Sequence, residues 1–252
     1  KISSPQKNEK TIFVWPEGIL PDISKDQLKE YKFLFENAFN ENHILSIGIN
    51  EIKKENQNIK YYNSLTIYDH NLKILNSYNK LNLVPFGEFL PFEKILGHIG
   101  LKTITNNYKS YSRGEKRNII EVNKDNFSVR LLPLICYEII YTGNIFNNRD
   151  FDFIINISED GWFGQSIGPQ QHFAHTIYRA IESGKCILRS ANNGIAAIVN
   201  PLGVVEKQVD LDQSGYIDFI ESKKIKPTIF SKYGNKIFVL MILLYILLIY
   251  SF

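Results

Sequence analysis

The run Leu131 to Tyr141, LLPLICYEIIY, limits what this chain can fold into more than any other stretch. A short segment that is apolar at almost every position reads as a strand buried inside a sheet. Two reactive groups interrupt it, the thiol of Cys136 and the carboxylate of Glu138. Taken alone, Cys136 is a small core hydrophobe, because unpaired cysteine is among the most buried residue types. The other reading, a nucleophile at the end of a sheet strand, needs partners from elsewhere in the chain.

Composition narrows the field. A chain of 252 residues with 44% hydrophobic content can build a sizeable core in one or two domains. Its 29 basic and 26 acidic residues leave a net charge of +3, too weak and too evenly spread for a nucleic-acid surface. Cys136 and Cys186 are the two cysteines, so neither a disulfide framework nor a cysteine-rich zinc site is indicated. The opening KISSPQKNEK is polar and does not read as a signal peptide.

The other end of the chain is strongly apolar. Ile237 to Tyr250, IFVLMILLYILLIY, carries no charge. Taken on to Phe252, it makes a helix of about 24 Å, against the ~30 Å of a bilayer hydrocarbon core. It follows the polar stretch Ser231 to Lys236 and has little left to pack against. Residues 231–252 are therefore expected to form one C-terminal transmembrane helix, its shortness met by local thinning or by packing with other membrane helices. Lys232 and Lys236 ahead of it would favour a cytoplasmic domain by the positive-inside rule.

Between these two features the chain alternates strand and helix signals. Thr11 to Val14 is a short strand stopped by Trp15-Pro16-Glu17-Gly18, which leaves Glu17 at its end. Ser24 and Gln27 form a capping box for a helix reaching about Asn40. Strands are expected at His43–Ile49, Tyr61–Tyr68 and Leu72–Tyr78, the last two joined around Asp69-His70-Asn71 and delivering Lys80. Leu81 to Pro91 is a rigid loop, and Phe92 to Tyr111, with Ile95, Leu96, Ile99 and Leu101, is a candidate lid. A second hairpin, Ile119–Val122 with Phe127–Leu134, leads to Cys136, and Ile139 to Phe146 is expected to be helical.

Phe153–Ile157 is a further strand, followed by a loop holding Trp162 and Phe163. Pro169 and Gly184 frame a helix from Gly168 to Ser183. Strands at Cys186–Leu188, Ala196–Val199, Val204–Val209 and Gly215–Phe219 complete a layered α/β sandwich. On the long helix, His172, His175, Arg179 and Glu182 share one face, which reads as solvated or hydrogen-bonded, and no metal site is expected. Cys186 lies within an apolar run and reads as core.

Glu17, Lys80 and Cys136 each follow a strand or hairpin, and together they supply a base, a cation and a nucleophile, the minimum for covalent acyl transfer. A lysine beside the thiol favours the thiolate and stabilises an oxyanion, while a carboxylate of raised pKa shuttles the proton.

The same residues sit in motifs that resemble the Glu-Lys-Cys motifs of the nitrilase, or carbon-nitrogen hydrolase, superfamily: Trp15-Pro16-Glu17, Asn79-Lys80 with Leu83 to Pro91, and Ile135-Cys136-Tyr137-Glu138. The loop with Glu88, Trp162-Phe163-Gly164, and Arg189 to Gly194 are similar to the apolipoprotein N-acyltransferase family. The resemblance implies a four-layer αββα catalytic domain over residues 1–230, on the periplasmic side of a bacterial inner membrane. It implies transfer of an acyl chain from a phospholipid donor to the N-terminal amine of a diacylglyceryl apolipoprotein acceptor, with no cofactor. In that scheme Cys136 is the nucleophile, Glu17 the general base and Lys80 the stabiliser of the tetrahedral intermediate. Glu88, Tyr137 and Glu138 support them, and Trp162 and Phe163 line the substrate site.

Two departures from the family accompany these matches. Glu159 stands where the family has Asn. The family also has a strand ahead of Trp-Pro-Glu and a block of membrane helices, so the resemblance implies a C-terminal portion, a split product or a decayed copy. An amidase in which water resolves the thioester, or an inactive truncated copy, are the other readings these residues leave open.

Overall fold

The computed structural model of the chain describes residues 5–6, 8–55, 58–92, 110–124, 127–143, 150–220 and 224–251. The apolar run folds as strand β6 (Phe127–Ile135), in which Leu131 and Ile135 point one way and Leu132 and Leu134 the other, all of them buried. A strand with both faces apolar requires a covering layer on each side.

One of those layers is a second sheet. It is built from β1 (Thr11–Val14), β2 (His43–Glu55), β3 (Asn58–Asp69) and β4 (Ile74–Asn79) in that order, with β1 parallel to β2 and antiparallel pairing beyond. β6 itself lies in a six-stranded sheet with β5 (Ile120–Lys124), β7 (Phe153–Glu159), β8 (Ile187–Asn192), β9 (Ala196–Val199) and β10 (Val205–Val209), ordered β10-β9-β8-β7-β6-β5. Its centre, β6-β7-β8, is parallel, and its flanks are antiparallel. Ile44, Leu65 and Ile67 of the first sheet meet Leu131, Ile135 and Ile157 of the second.

Helices cover the outer faces. A 3-10 turn at Gln27–Tyr31 runs into α1 (Lys32–Ala38), and Leu28, Phe35 and Phe39 pack on Leu45, Ile47 and Ile49. On the other side α2 (Gly168–Ser183) lays Phe173 and Ala180 on Leu132, Leu134 and Ile154. α2 opens on Pro169 and closes at the left-handed Gly184, with the bounds its sequence predicts. The architecture is a four-layer αββα sandwich.

Three local expectations change. The helix expected from Ser24 to Asn40 is split, because Ser24 Oγ donates to Gln27 Oε1 at 2.8 Å and the chain enters through a 3-10 turn. Phe33 and Leu34, expected in the helical pattern, are 59% and 52% exposed. Gly215 to Phe219 makes no strand: Phe219 is held edge-on to Phe153 at 5.9 Å. Most of the candidate lid, residues 93–109, and 144–146 of the helix expected over 139–146 lie outside the described residues, and Ile139 and Ile140 belong to a 3-10 turn.

The expected transmembrane helix over 231–252 is corrected. The segment divides into α3 (Ile229–Tyr233) and α4 (Lys236–Ser251). Gly234 breaks it at φ +55°, so close to the chain that a Cβ there would lie 2.4 Å from the Gly143 carbonyl oxygen. The 16 residues of α4 make about 24 Å of helix. Among the described residues no helix is long and apolar enough to cross a membrane. α4 is apolar on every side and exposed from Phe238 to Tyr250.

Candidate active site

Each reactive side chain stands where a strand gives out. Past β1, Trp15 N–H still donates to Ser46 at 2.8 Å before Pro16 ends the pairing and Glu17 follows. Gly48 of β2 allows this approach, since a Cβ there would sit 2.7 Å from the Glu17 Cα. β4 ends at Asn79, and Lys80 N–H donates to the Asn63 carbonyl at 2.8 Å. β6 ends at Ile135, and Cys136 takes φ +48° as it opens a 3-10 turn, Cys136–Ile140. That turn removes Cys136 and Glu138 from the alternation of an extended chain, so they do not share a face.

The three strand ends meet. Lys80 is 1% exposed, with Nζ 2.9 Å from Glu88 Oε1 and 3.7 Å from Glu17 Oε1. Asn63 Nδ2 donates to Glu88 Oε1 at 2.9 Å and also to Glu17 Oε1. Glu17 Oε2 accepts the Glu159 N–H at 2.9 Å, and Glu88 Oε2 accepts the Val84 N–H at 2.8 Å. The Cys136 thiol lies within the electrostatic field of Glu17, Lys80 and Glu88, with Ser158 beside it.

Burial raises the Glu17 carboxyl above its ordinary range, and Glu88 adds to this against the opposing pull of Lys80. Burial alone would depress Lys80, but the Glu17 and Glu88 carboxylates hold it well above the usual lysine value, so it stays a cation. Burial, with Glu17 behind it, pushes the Cys136 thiol up to about 12. The resting site is therefore a neutral thiol, a lysine cation and a carboxyl group able to take up a proton.

Other expected residues separate by role. Glu138 points into a buried cluster: Oε1 accepts from Tyr78 Oη at 2.7 Å, Arg117 Nη2 at 2.8 Å and Leu81 N–H at 2.9 Å, and Oε2 accepts the Ile135 N–H at 2.9 Å. It ties the lysine loop to the nucleophile turn. The Tyr137 ring stands edge-on to Tyr141 at 5.6 Å. Trp162 and Phe163 are 66% and 39% exposed on the loop that leaves β7. The Glu159 carboxylate is absorbed by neighbouring donors, Gly161 N–H at 2.8 Å, Asn192 Nδ2 at the end of β8 at 2.6 Å and Asn193 Nδ2 at 3.0 Å.

Sequence reasoning missed Asn63, which bridges Glu17 and Glu88, and Ser158 and Asp160, and it gave no role to His172 and Arg189. All five are buried, and Arg189 Nη2 donates to Asp160 Oδ2 at 2.6 Å. Burial would raise the Asp160 carboxyl, but the His172 hydrogen bond and the Arg189 charge hold it below the usual range. On α2, His172, Arg179 and Glu182 are buried, so that face is hydrogen-bonded and not solvated. Among the described residues no cluster of three or more His, Cys, Asp or Glu side chains is placed to hold a metal ion.

Residues 2–219 match the carbon-nitrogen hydrolase family. The chain belongs to that family. Among solved structures, Saccharomyces cerevisiae Nit3, a branch 10 member of the nitrilase superfamily, superposes with a TM-score of 0.53 at 18% identity, covering 79% of this chain and 72% of that one. A mutant of the Nesterenkonia AN1 amidase from the nitrilase superfamily gives 0.52 at 14%, covering 80% and 74%. These likenesses show the carbon-nitrogen hydrolase fold. In sequence, the chain is 36% identical over 243 residues to the apolipoprotein N-acyltransferase of Rickettsia prowazekii (strain Madrid E), covering 95% of this chain and 47% of the relative. It is 41% identical over 208 residues to that of Rickettsia bellii (strain RML369-C), covering 82% and 40%. The chain thus spans about half or less of the length of the curated relatives it matches.

Proposed function

We propose that the chain carries the acyl-transfer site of an apolipoprotein N-acyltransferase-like enzyme, with residues 1–230 as the catalytic unit. The observation that carries this is the meeting of Glu17, Lys80 and Cys136 in one buried group, with Glu88 on the lysine. The names of its relatives favour transfer over hydrolysis.

The reaction runs in two halves. Glu17 takes the thiol proton as Cys136 Sγ attacks the ester carbonyl of a phospholipid. The oxyanion is stabilised by Lys80, whose ammonium has three hydrogens, one turned to Glu88 and one toward Glu17. Collapse breaks the ester C–O bond, Glu17 returns its proton to the leaving oxygen, and the lysophospholipid departs from a Cys136 thioester. The N-terminal amine of a diacylglyceryl apolipoprotein then attacks the thioester carbonyl. Glu17 removes the amine proton, and Cys136 leaves as thiolate and is reprotonated.

The exposed aromatics Trp162 and Phe163 are assigned to the donor site, and the exposed apolar surface of α4 supports lipid contact at a bacterial inner membrane, with the domain on its periplasmic side. An amidase would use the same triad with water as acceptor. The two readings separate by product. Supplied with acyl-labelled phospholipid and a diacylglyceryl-cysteine peptide, the protein is expected to move label to the peptide amine. Ammonia from a small amide, without peptide labelling, would replace this reading with hydrolysis.

A further inference from the structure

The acyl-transfer scheme uses the Cys136 side chain, but it does not explain what holds the Cys136 backbone. With φ +48°, this residue occupies the left-handed region that non-glycine residues seldom adopt, and such conformations persist where surrounding structure over-determines them. The turn is held on both sides. Upstream, the Ile135 N–H donates to Glu138 Oε2 at 2.9 Å. At the nucleophile itself, the Cys136 carbonyl oxygen lies 3.2 Å from His172 Nε2. A carbonyl can only accept, so Nε2 carries the hydrogen and donates.

The orientation of that ring is fixed from behind. Asp160 Oδ1 lies 2.9 Å from His172 Nδ1 and also accepts from Ser158 Oγ at 2.6 Å. Arg189 Nη2 clamps the other carboxylate oxygen at 2.6 Å, while Arg189 Nε donates to the Ile195 carbonyl at 3.1 Å. The Phe163 ring leans on the imidazole at 5.4 Å. His172 comes from the second turn of α2, on the far side of the six-stranded sheet from Glu17 and Lys80. It reaches the nucleophile only through the main chain.

We propose that His172 is a positioning residue for the acyl transfer: by donating from Nε2 to the Cys136 carbonyl, with its ring set by Asp160, it holds the left-handed turn that aims the thiol at Lys80 and Glu17. This role rests on Cys136 being the nucleophile. His172 touches neither substrate nor reacting atom, and it acts through the backbone of Cys136.

Two isosteric replacements divide its contacts. In His172→Asn the amide nitrogen takes the place of Nδ1, keeping the Asp160 contact and losing the Cys136 carbonyl. In His172→Gln the amide nitrogen takes the place of Nε2 and can still donate to that carbonyl. The readout is alkylation of Cys136 by iodoacetamide between about pH 7 and 10, followed by mass spectrometry, with the buried Cys186 as a monitor of unfolding. The Asn variant is expected to alkylate Cys136 roughly tenfold more slowly, since a misaimed thiol loses its cation partner. Its profile moves to higher pH and Cys186 stays protected, while the Gln variant recovers most of the rate. Cys136 alkylating in the Asn variant at or above the wild-type rate overturns the proposal. So does a parallel rise of Cys136 and Cys186, which marks a merely structural histidine. Acyl labelling from phospholipid that survives Cys136→Ala would instead remove the nucleophile itself, and the positioning role with it.

Discussion

Lys80 Nζ lies 2.9 Å from Glu88 Oε1 but 3.7 Å from Glu17 Oε1, and both carboxylates are bridged by the single amide nitrogen of Asn63. The closer pair anchors the lysine, and the longer separation leaves Glu17 the carboxylate that can exchange a proton. Glu88 also adds negative charge that raises the Glu17 carboxyl.

Glu88→Gln tests this division of labour. Removing that charge lowers the Glu17 pKa, so Glu17 stays ionised to lower pH and the acid limb of the acylation profile moves downward. The maximal rate falls as well, because Lys80 loses its anchor. An acid limb that stays in place would contradict the coupling.

Glu17→Gln should separate thiol acidity from turnover. Burial is the main reason the thiol is pushed up to about 12, and the Glu17 charge is the next. Neutralising Glu17 lowers the thiol pKa, so at a given pH Cys136 carries more thiolate and reacts faster with iodoacetamide. Acyl transfer, deprived of its base, should fall by about 100-fold or more. Slower alkylation in this variant would show that Glu17 does not face the thiol.

Glu138 belongs to the frame. Glu138→Gln leaves Arg117, whose side chain is buried, without its charge partner at 2.8 Å, and should cost about 3–5 kcal/mol in urea unfolding. Adding Arg117→Met should recover much of that loss. Additive losses in the double variant would mean that the two groups do not stabilise each other.

Trp162→Ala should leave the unfolding midpoint nearly unchanged, within about 0.5 kcal/mol, because the ring is exposed on its loop. KM for the phospholipid donor should rise more than kcat falls. An unchanged KM would take Trp162 out of the substrate path.

What the sequence disclosed follows from how locally each feature is encoded. Glu17, Lys80 and Cys136 were legible because Pro16, Asn79 and the change of pattern after Ile135 mark strand ends within a few residues. α2 was legible to its bounds because Pro169 and Gly184 punctuate it. The layer behind the nucleophile was not, since Asp160 meets His172 and Arg189 only once β7, β8 and α2 are stacked. Nothing local to α2 distinguishes His172 from a solvated histidine. Glu159 stands where the family has Asn, and its carboxylate is satisfied by Asn192 and Asn193, brought to it by the pairing of β7 with β8. Gly215 to Phe219 has the composition of a strand, but a strand also requires a neighbouring edge, which apolar composition does not provide.

The central claim is that Cys136 carries the acyl group. Incubating the protein with acyl-labelled phospholipid, quenching in acid and mapping the label by mass spectrometry tests it directly. A hydroxylamine-sensitive adduct on the Cys136 peptide, absent from Cys136→Ala and lost when a diacylglyceryl-cysteine peptide is added, is the predicted result. A folded protein that takes up no label at Cys136, or that is still labelled after Cys136→Ala, would contradict it.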